Sequence, residues 1–320
     1  MRKEELLLAL REGGDQSGEA LGKRFGVSRA AVSKAIAALK NEGWPIASAP
    51  NRGYRLLGES DALTASGIRA CLEGHPWAEL LEVFPVIGST NDELKARAAA
   101  GAPHGTVAVA DCQTGGRGRL GRRFDSAPGS GVYLSVLLRP ACPAADLMTL
   151  TAQAAVAVSR AIETVCGVRP GIKWVNDLLL GGKKICGILT ELSLEAESGL
   201  VAYAIIGVGI NCNRETDAFP PELREIAGSI LSQTGKRVNR NRLAAELIRA
   251  LSALPNSEWR EAYRAACVNL GQAVRLIAPG RPDRLGMALD LGENAELIVR
   301  FDDGTVEAVN AGEVSLRAQS

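Results

Sequence analysis

Histidine is nearly missing from this sequence. His75 and His104 are its only two copies, so a three-histidine metal site is impossible. No Cys-x-x-Cys pair occurs, which removes the common zinc and dithiol motifs. The seven cysteines (Cys71, Cys112, Cys142, Cys166, Cys186, Cys212 and Cys267) are odd in number, scattered and mostly set in apolar runs. That is the pattern of reduced thiols, not of a disulfide framework. Long apolar runs are missing too. The strongest, Val201 to Ile210, falls well short of the ~20 residues a membrane span needs. The N-terminal Leu-rich stretch ends at Arg11, too soon for a signal peptide. A cytoplasmic protein with no membrane partner is the expectation. Net charge is almost absent: 37 Lys and Arg stand against 36 Asp and Glu, a sum of +1. Taken whole, that argues against a general binder of nucleic acid or membrane surface.

What is present is a chain of 320 residues, 46% of them apolar, enough for a large buried core and for two or three domains. The near-zero charge is an average over unlike parts. Residues 1–60 carry ten Lys and Arg and seven Asp and Glu, and from Ala20 to Asn41 there are five basic residues and no acidic one. Leu6, Leu7 and Leu10 give a first helix an apolar face. Ser17 can cap a second helix that ends at Gly26, and Ser28 can cap a third, Arg29 to Lys40. In the third, Val32, Ile36 and Leu39 share one face, leaving Arg29, Ser33 and Lys34 to the other. Two helices joined by a short Gly-containing turn, the second basic and rich in small residues, form the helix-turn-helix pattern. Alternation after Trp44, a turn at Pro50–Gly53 and the return at Tyr54 predict a hairpin wing carrying Arg52 and Arg55. The competing reading of this stretch is a helical interaction module with a solvated basic face.

From Asp61 to Asn269, helices and strands mix. Helices are expected at 89–100, 146–166, 238–251 and 258–269, and strands at 106–111, 132–138, 172–175, 178–180, 185–192 and 201–208. Strands that follow one another without helices between them indicate α+β architecture. The last fifty residues are short strands with turns at Pro279–Gly280, Gly292–Asn294 and Asp302–Gly304.

Three segments carry chemistry. Gln113 to Arg123 reads QTGGRGRLGRR. Its Gly116-x-Gly118-x-x-Gly121 spacing formally matches a dinucleotide fingerprint, but no helix follows, so the Rossmann reading is rejected. Glycines interleaved with Arg117, Arg119, Arg122 and Arg123 suit a triphosphate or a leaving pyrophosphate. The second segment is KWVND, residues 173–177, followed by GGKKICGIL from Gly181. Asn176 and Asp177 offer oxygens for Mg²⁺, and Lys184 offers either a phosphate contact or merely a surface hairpin cation. The third, GVGIN at 207–211, lets a ligand lie against backbone, with Asn211 placed to read a ribose or base edge. A plain strand end and turn explains it equally well.

Together with Ser89-Thr90-Asn91 and the closing Gly312-Glu-Val-Ser-Leu-Arg317, these motifs resemble the biotin protein ligases, and SGEALGKRFGVSRAAVSKAIAALKNEGW resembles the DNA-binding module of the bifunctional members that also repress biotin synthesis. The resemblance covers essentially the whole chain. It implies a multi-domain α+β protein: a winged helix-turn-helix at 1–60, a central mixed-sheet ligase domain of class II synthetase type at 61–270, and an SH3-like small β-barrel at 271–320. It implies biotin and ATP as substrates, Mg²⁺ as cofactor, the biotin carboxyl carrier protein of acetyl-CoA carboxylase as acceptor, operator DNA as a second partner, and a homodimer when the adenylate is bound. By motif, Ser89, Thr90, Asn91, Gln113, Arg117, Gly118, Arg119 and Lys184 would bind biotin. Arg119, Arg122, Phe124, Asn176, Asp177 and Asn211 would bind ATP or the adenylate, and Lys184 and Arg119 would be catalytic. Ser28, Arg29, Ser33, Lys34 and Arg52 would meet DNA. Asn176 and Asp177 would hold the metal. Alternatives are a repressor with weakened ligase activity, or a lipoate-type ligase. Two departures stand out. Val175 replaces the usual proline, and Phe124-Asp125 replaces an aromatic-rich pair: Phe124 can serve as a cover, but Asp125 cannot stack. Lys183 should point away from the site, being the strand neighbour of Lys184.

Overall fold

A computed structural model describes the chain except residues 50, 51, 196, 256, 257, 278–281, 311, 312 and 317–320. The wing turn at Pro50–Asn51, the turn at Pro279–Gly280, and the closing Gly312 and Arg317 therefore lie outside the described residues.

The N-terminal unit comprises α1 (Lys3–Arg11), α2 (Gly18–Phe25), α3 (Arg29–Asn41) and the hairpin β1 (Ile46–Ala49) and β2 (Gly53–Leu56). The caps are those the sequence predicts. Ser17 Oγ accepts from Ala20 N at 3.0 Å and Ser28 Oγ from Ala31 N at 3.2 Å, while Gly26 closes α2 at φ +65°, a conformation that favours glycine. Leu6, Leu7, Leu10, Leu21, Val32, Ile36, Leu39 and Trp44 form the core. This unit is docked on the central one: α1 packs on α4 (Ala65–Leu72), whose Ala70 joins the same core.

The central unit continues with β3 (Leu81–Phe84), α5 (Thr90–Ala99), β4 (Val107–Ala110), β5 (Gly131–Leu138), α6 (Leu150–Cys166), β6 (Gly171–Lys173), β7 (Asp177–Leu180), β8 (Lys183–Leu194), β9 (Val201–Asn211), α7 (Ile230–Thr234), α8 (Arg240–Ser252) and α9 (Trp259–Ala266). Its sheet runs β3-β4-β5-β9-β8-β7-β6, with β3 and β4 parallel and every other pair antiparallel. Helices α6 and α8 cover one face, where Val132, Leu134, Val136, Ile206, Val208 and Ile210 are buried. Helix α5 covers part of the other, against Leu137 and Ile205. Period-2 alternation then puts Gly207, Gly209 and Asn211 on the α5 side of β9, with Ser135 opposite Gly207 on β5.

The expected helix from Asp146 begins instead at Leu150, because residues 144–147 form a separate 3-10 turn behind Pro143. Helix α8 starts at Arg240 rather than Val238, since Asn239 caps it. GVGIN lies within β9, not beyond a strand ending at Val208. The Trp174–Val175 peptide is cis.

The C-terminal unit contains β10 (Ala273–Ile277), β11 (Arg284–Leu291), β12 (Leu297–Phe301), β13 (Val306–Val309) and β14 (Glu313–Leu316), ordered β13-β12-β11-β10-β14. The expected closed barrel is an open antiparallel sheet among the described residues, because β13 and β14 are its two edges and do not pair with each other. Its buried residues Val274, Ala288, Leu297 and Val299 join the central core. Trp174 bridges the two units: its backbone N donates to Asn269 Oδ1 at 2.7 Å and its Nε1 to Ala295 O at 2.8 Å.

The segment between wing and central unit is also held. Asn241 is fully buried; its Oδ1 accepts from Thr64 N at 3.0 Å and its Nδ2 donates to Ala62 O at 2.9 Å. Arg240, 3% exposed, is paired with Asp61 and with Asp111 and donates to Gly131 O. A buried guanidinium needs such partners to offset its desolvation.

Candidate functional site

A cavity of about 590 Å³ opens on the α5 side of the sheet. Every residue expected to bind biotin or ATP lines it: Ser89, Thr90, Asn91, Gln113, Arg117, Gly118, Arg119, Arg122, Phe124, Asn176, Asp177, Lys184 and Asn211. They come from the N-terminus of α5, the loop after β4, the β6–β7 turn and strands β7, β8 and β9.

At one end uncharged side chains line the cavity, joined in a hydrogen-bond chain that ends behind them on the Glu191–Lys95 ion pair. Gln113 Oε1 accepts from Thr90 N at 2.9 Å and from Thr90 Oγ1 at 3.1 Å. Ser135, fully buried, reaches Thr90 Oγ1 at 2.7 Å and Asn91 Oδ1 at 2.6 Å. Asn91 Nδ2 donates to Glu191 Oε2 at 2.8 Å, and Lys95 Nζ pairs with Glu191 at 2.6 Å. Burial pushes the Glu191 carboxyl up, but the hydrogen bonds from Lys95 and Asn91 outweigh it and hold the group below its usual range. Ser89 caps α5 through Asp92 N at 3.4 Å. Fixed donors and acceptors of this kind suit a neutral polar ring rather than a charged group.

The other end is charged. Lys184 Nζ pairs with Asp177 Oδ1 at 2.7 Å. The β7–β8 register shifts between Leu178 and Leu179, a bulge that places Leu179 opposite Lys184 and Leu178 opposite Cys186. Lys183 does point elsewhere, donating to Arg224 O at 3.2 Å. Arg119 Nη1 donates to Asn176 Oδ1 at 3.2 Å, and Asn176 Nδ2 to Ile188 O at 2.9 Å. Asn211 Nδ2 donates to Gly228 O at 3.0 Å, while its Oδ1 is buried with no hydrogen-bond partner among the described residues. A buried orphan acceptor beside a cavity marks a place for a ligand donor. Cys186, the buried thiol nearest Lys184 in sequence, is pushed up by burial, which favours its neutral thiol form.

The Gly/Arg loop is a short ladder. Gln113 N donates to Ser126 O (3.1 Å), Phe124 N to Gly116 O (3.0 Å) and Gly118 N to Arg122 O (2.7 Å), with Arg119–Gly121 as a 3-10 tip. Its return limb lays the Phe124 ring on β9, where a Cβ on Gly209 would stand only 2.7 Å from the ring. Arg117 pairs with Asp92. Among the described residues no group of three or more His, Cys, Asp or Glu is placed to hold a metal, so Asn176 and Asp177 do not close a cation site by themselves.

Several lining residues were not foreseen. Phe219, Leu223, Ile226 and Ala227 come from the long connection after β9, and Val314 from β14. That connection has no hydrophobic period to read. Ser135 did leave a signal, as the one hydroxyl inside the otherwise apolar Val132–Leu138 besides Tyr133. Ser28, Arg29, Ser33, Lys34 and Arg52 do not line this cavity; they are exposed at the start of α3, on α3 and on the wing. Ser28 uses its hydroxyl as the α3 cap. Lys23 and Arg24 are paired with Glu19 and Glu12, whereas Arg29 and Lys34 make no ion pair among the described residues.

A seven-stranded sheet carrying a neutral pocket beside a cationic one, behind a helix-turn-helix module, defines a ligase with an attached DNA-binding unit. Residues 83–211 match the Biotin/lipoate A/B protein ligase family, and residues 2–55 match an HTH domain. The chain is 31% identical to the bifunctional ligase/repressor of Escherichia coli, over 98% of this chain and 97% of that one, and 41% identical to that of Bacillus subtilis over 70% and 68%. A solved structure of the biotin protein ligase of Aquifex aeolicus in complex with biotin and ATP superposes with a TM-score of 0.62 at 29% identity, covering 74% of this chain and 98% of the other. The chain belongs to the biotin protein ligases, in their bifunctional ligase/repressor branch.

Proposed function

We propose that this protein activates biotin with ATP to biotinyl-5′-AMP, transfers the biotinyl group to one lysine of a biotin carboxyl carrier protein, and represses transcription when it holds the adenylate. The observation that carries this reading is one cavity in which a neutral hydrogen-bonding end adjoins a cationic end at Lys184. Its volume falls within the roughly 300–1,000 Å³ typical of small-molecule sites.

Thr90, Asn91 and Gln113 orient the ureido ring of biotin, which fixes its carboxylate near Lys184. A carboxylate oxygen bonds to the α-phosphorus, the bond from that phosphorus to the bridging oxygen breaks, and pyrophosphate leaves. Two anions must approach for this to happen. Lys184, exchanging Asp177 for the ligand, cancels that repulsion, and the guanidinium groups of Arg119 and Arg122 stabilise the charge that moves onto pyrophosphate. Asn211 Oδ1 accepts from the ribose or adenine. Asn176 and Asp177 would hold Mg²⁺; one carboxylate and one amide oxygen suit an ion that keeps phosphate oxygens and waters as its other ligands, and it would supply further charge neutralisation. In the second half-reaction the acceptor amine attacks the mixed anhydride, AMP leaves and a proton is released. No covalent enzyme intermediate is needed, and positioning is the main contribution of the protein. The Gly/Arg ladder excludes water from the anhydride.

The central unit is read as a class II synthetase-like domain over 61–270, preceded by a winged helix-turn-helix over 1–60 and followed over 271–320 by a β-sheet unit that supports the cavity through Val314 and through Ala295 O, which accepts from Trp174 Nε1. Seven free cysteines support work in the cytosol. Arg29, Ser33, Lys34 and Arg52 face operator DNA. Two copies brought together by the adenylate would share the phosphate contacts of a two-half-site operator. Incubation with ATP, labelled biotin and a carrier domain should label the carrier; absence of transfer at high enzyme concentration refutes the ligase reading. Operator affinity should rise with biotin and ATP together, and equal affinity without them refutes the corepressor role.

A further inference from the structure

The return limb of the Gly/Arg ladder and the connection after β9 meet at one ion pair. Arg214 Nη1 donates to Asp125 Oδ2 at 2.6 Å. Arg214 is 8% exposed. Its guanidinium is already held on other sides: Nε and Nη2 both donate to Ala218 O, at 3.2 and 2.8 Å, and its central carbon lies 4.2 Å from the centroid of the Phe219 ring. Its own carbonyl accepts from Ser229 Oγ at 2.5 Å. Arg214 is thus a preorganised socket for a carboxylate. Asp125 is delivered to it by the ladder, through Phe124 N on Gly116 O and Gln113 N on Ser126 O. Asp125 and Phe219 both line the cavity, and Arg214 touches both of them.

Position 125 is the one at which the sequence departs from the aromatic-rich cover its motifs lead one to expect. A carboxylate cannot stack, but a charge-assisted bond to a buried guanidinium is directional and stronger than a neutral one. We propose that Asp125 and Arg214 are positioning residues that latch the Gly/Arg ladder to the 212–228 connection, holding the Phe124 ring against Gly209 and Gly187 and retaining the adenylate between the two half-reactions. The inference rests on reading the cavity as an adenylate-forming site. Opening the latch takes the carboxylate from a guanidinium that is only 8% exposed. Its partners lie 89 residues apart in sequence, so it acts by joining two otherwise separate walls.

The test uses the full chain, biotin and α-labelled ATP, without acceptor. Bound and released biotinyl-5′-AMP are followed after a chase of unlabelled biotin and ATP, for the wild type, D125N, D125A and D125E. D125N keeps shape and loses charge; it should release adenylate about tenfold faster, which corresponds to about 1.4 kcal/mol, with a thermal midpoint close to that of the wild type. D125A should do the same, and D125E should recover part of the dwell time. In transfer assays the loss should fall on the biotin KM more than on kcat at saturating biotin, a split that general loosening of the fold would not produce. Wild-type dwell time in D125N and D125A overturns the latch. Failure of the wild type to form adenylate at all overturns the ligase reading itself, and the latch with it.

Discussion

Gly207→Ala tests the neutral end of the cavity directly. Gly207 sits on β9 opposite Ser135, and a Cβ built on it stands 2.2 Å from Asn91 Oδ1, with Cγ at 2.9 Å and Nδ2 at 3.0 Å. To reach the 3.4 Å of ordinary contact, that oxygen must retreat by about 1.2 Å. Asn91 is buried and has nowhere to go without breaking its bonds. Moving it forfeits the bond to the Glu191 carboxylate, about 1.5–3 kcal/mol for a charged partner, and the bond from Ser135, about 0.5–1.5 kcal/mol. Glu191 keeps Lys95, and Ser135 can still reach Thr90, so the stability loss should be about 2–4 kcal/mol rather than the full desolvation of every group. Because Asn91 shares the first turn of α5 with Thr90, the same wedge should misplace the proposed ureido contacts. Displacements near 1 Å cost on the order of 100-fold in well-oriented sites. Urea denaturation gives the stability term, and initial rates of labelled biotin transfer at varied biotin and varied ATP give the functional one. The biotin KM should rise about 10–100-fold and the ATP KM much less. Wild-type stability together with a wild-type biotin KM would refute the argument that Asn91 needs the missing side chain of residue 207.

Lys184→Ala should lower adenylate formation by at least about 100-fold, measured by pyrophosphate release, since one preorganised charge donor contributes on that scale; a tenfold effect or less would place the chemistry elsewhere. The Glu191 carboxyl is held below its usual 4.5, so its pairing adds stability that is complete above that pH and lost as pH falls through the lowered value. Glu191→Gln should therefore be less stable than the wild type at pH 7, and the gap should close progressively below pH 4.5 in denaturation series; a gap independent of pH would contradict the pairing. Asn241→Ala orphans Thr64 N and Ala62 O, so limited proteolysis between residues 57 and 64 should quicken by tenfold or more, for a local cost of about 2 kcal/mol. Arg29→Ala with Lys34→Ala should reduce the dependence of operator binding on log salt by about 2, the slope for two phosphate contacts, and an unchanged slope would remove those residues from the DNA interface.

Where local chemistry decides structure, the sequence was legible. Ser17, Gly26 and Ser28 set the helix ends of the N-terminal unit by capping, a matter of neighbouring residues. The glycines of GVGIN announced a close approach, and Gly207 and Gly209 meet Asn91 and Phe124. All the residues expected to bind biotin or nucleotide line a single cavity, because strand ends and short turns bring successive motifs to one face of a sheet. What escaped reading was long-range. Arg214 gains its meaning from Asp125 and Phe219, and the connection that holds it has no period to betray its fold. Asp125, judged only as an aromatic that is missing, could not reveal its partner. Helix α4 and strand β3 were likewise invisible, being short and decided by packing on α1, α8 and β4. The open C-terminal sheet shows the same limit, since whether edge strands close depends on geometry that alternation alone does not carry.

The docking of the wing-bearing unit has a thermodynamic consequence. With α1 seated on α4, and Asn241 and Arg240 gripping residues 61–64, the recognition helix is mounted on the ligase core rather than tethered to it. A tethered reader must surrender orientational freedom each time it engages a duplex; a mounted one has surrendered it already during folding. If two copies do pair on a two-half-site operator as proposed, affinity would depend little on linker length and strongly on whether the two cores present their helices at the half-site spacing, so that a change of a few degrees in how the cores meet would be felt at the DNA as misalignment rather than absorbed as slack.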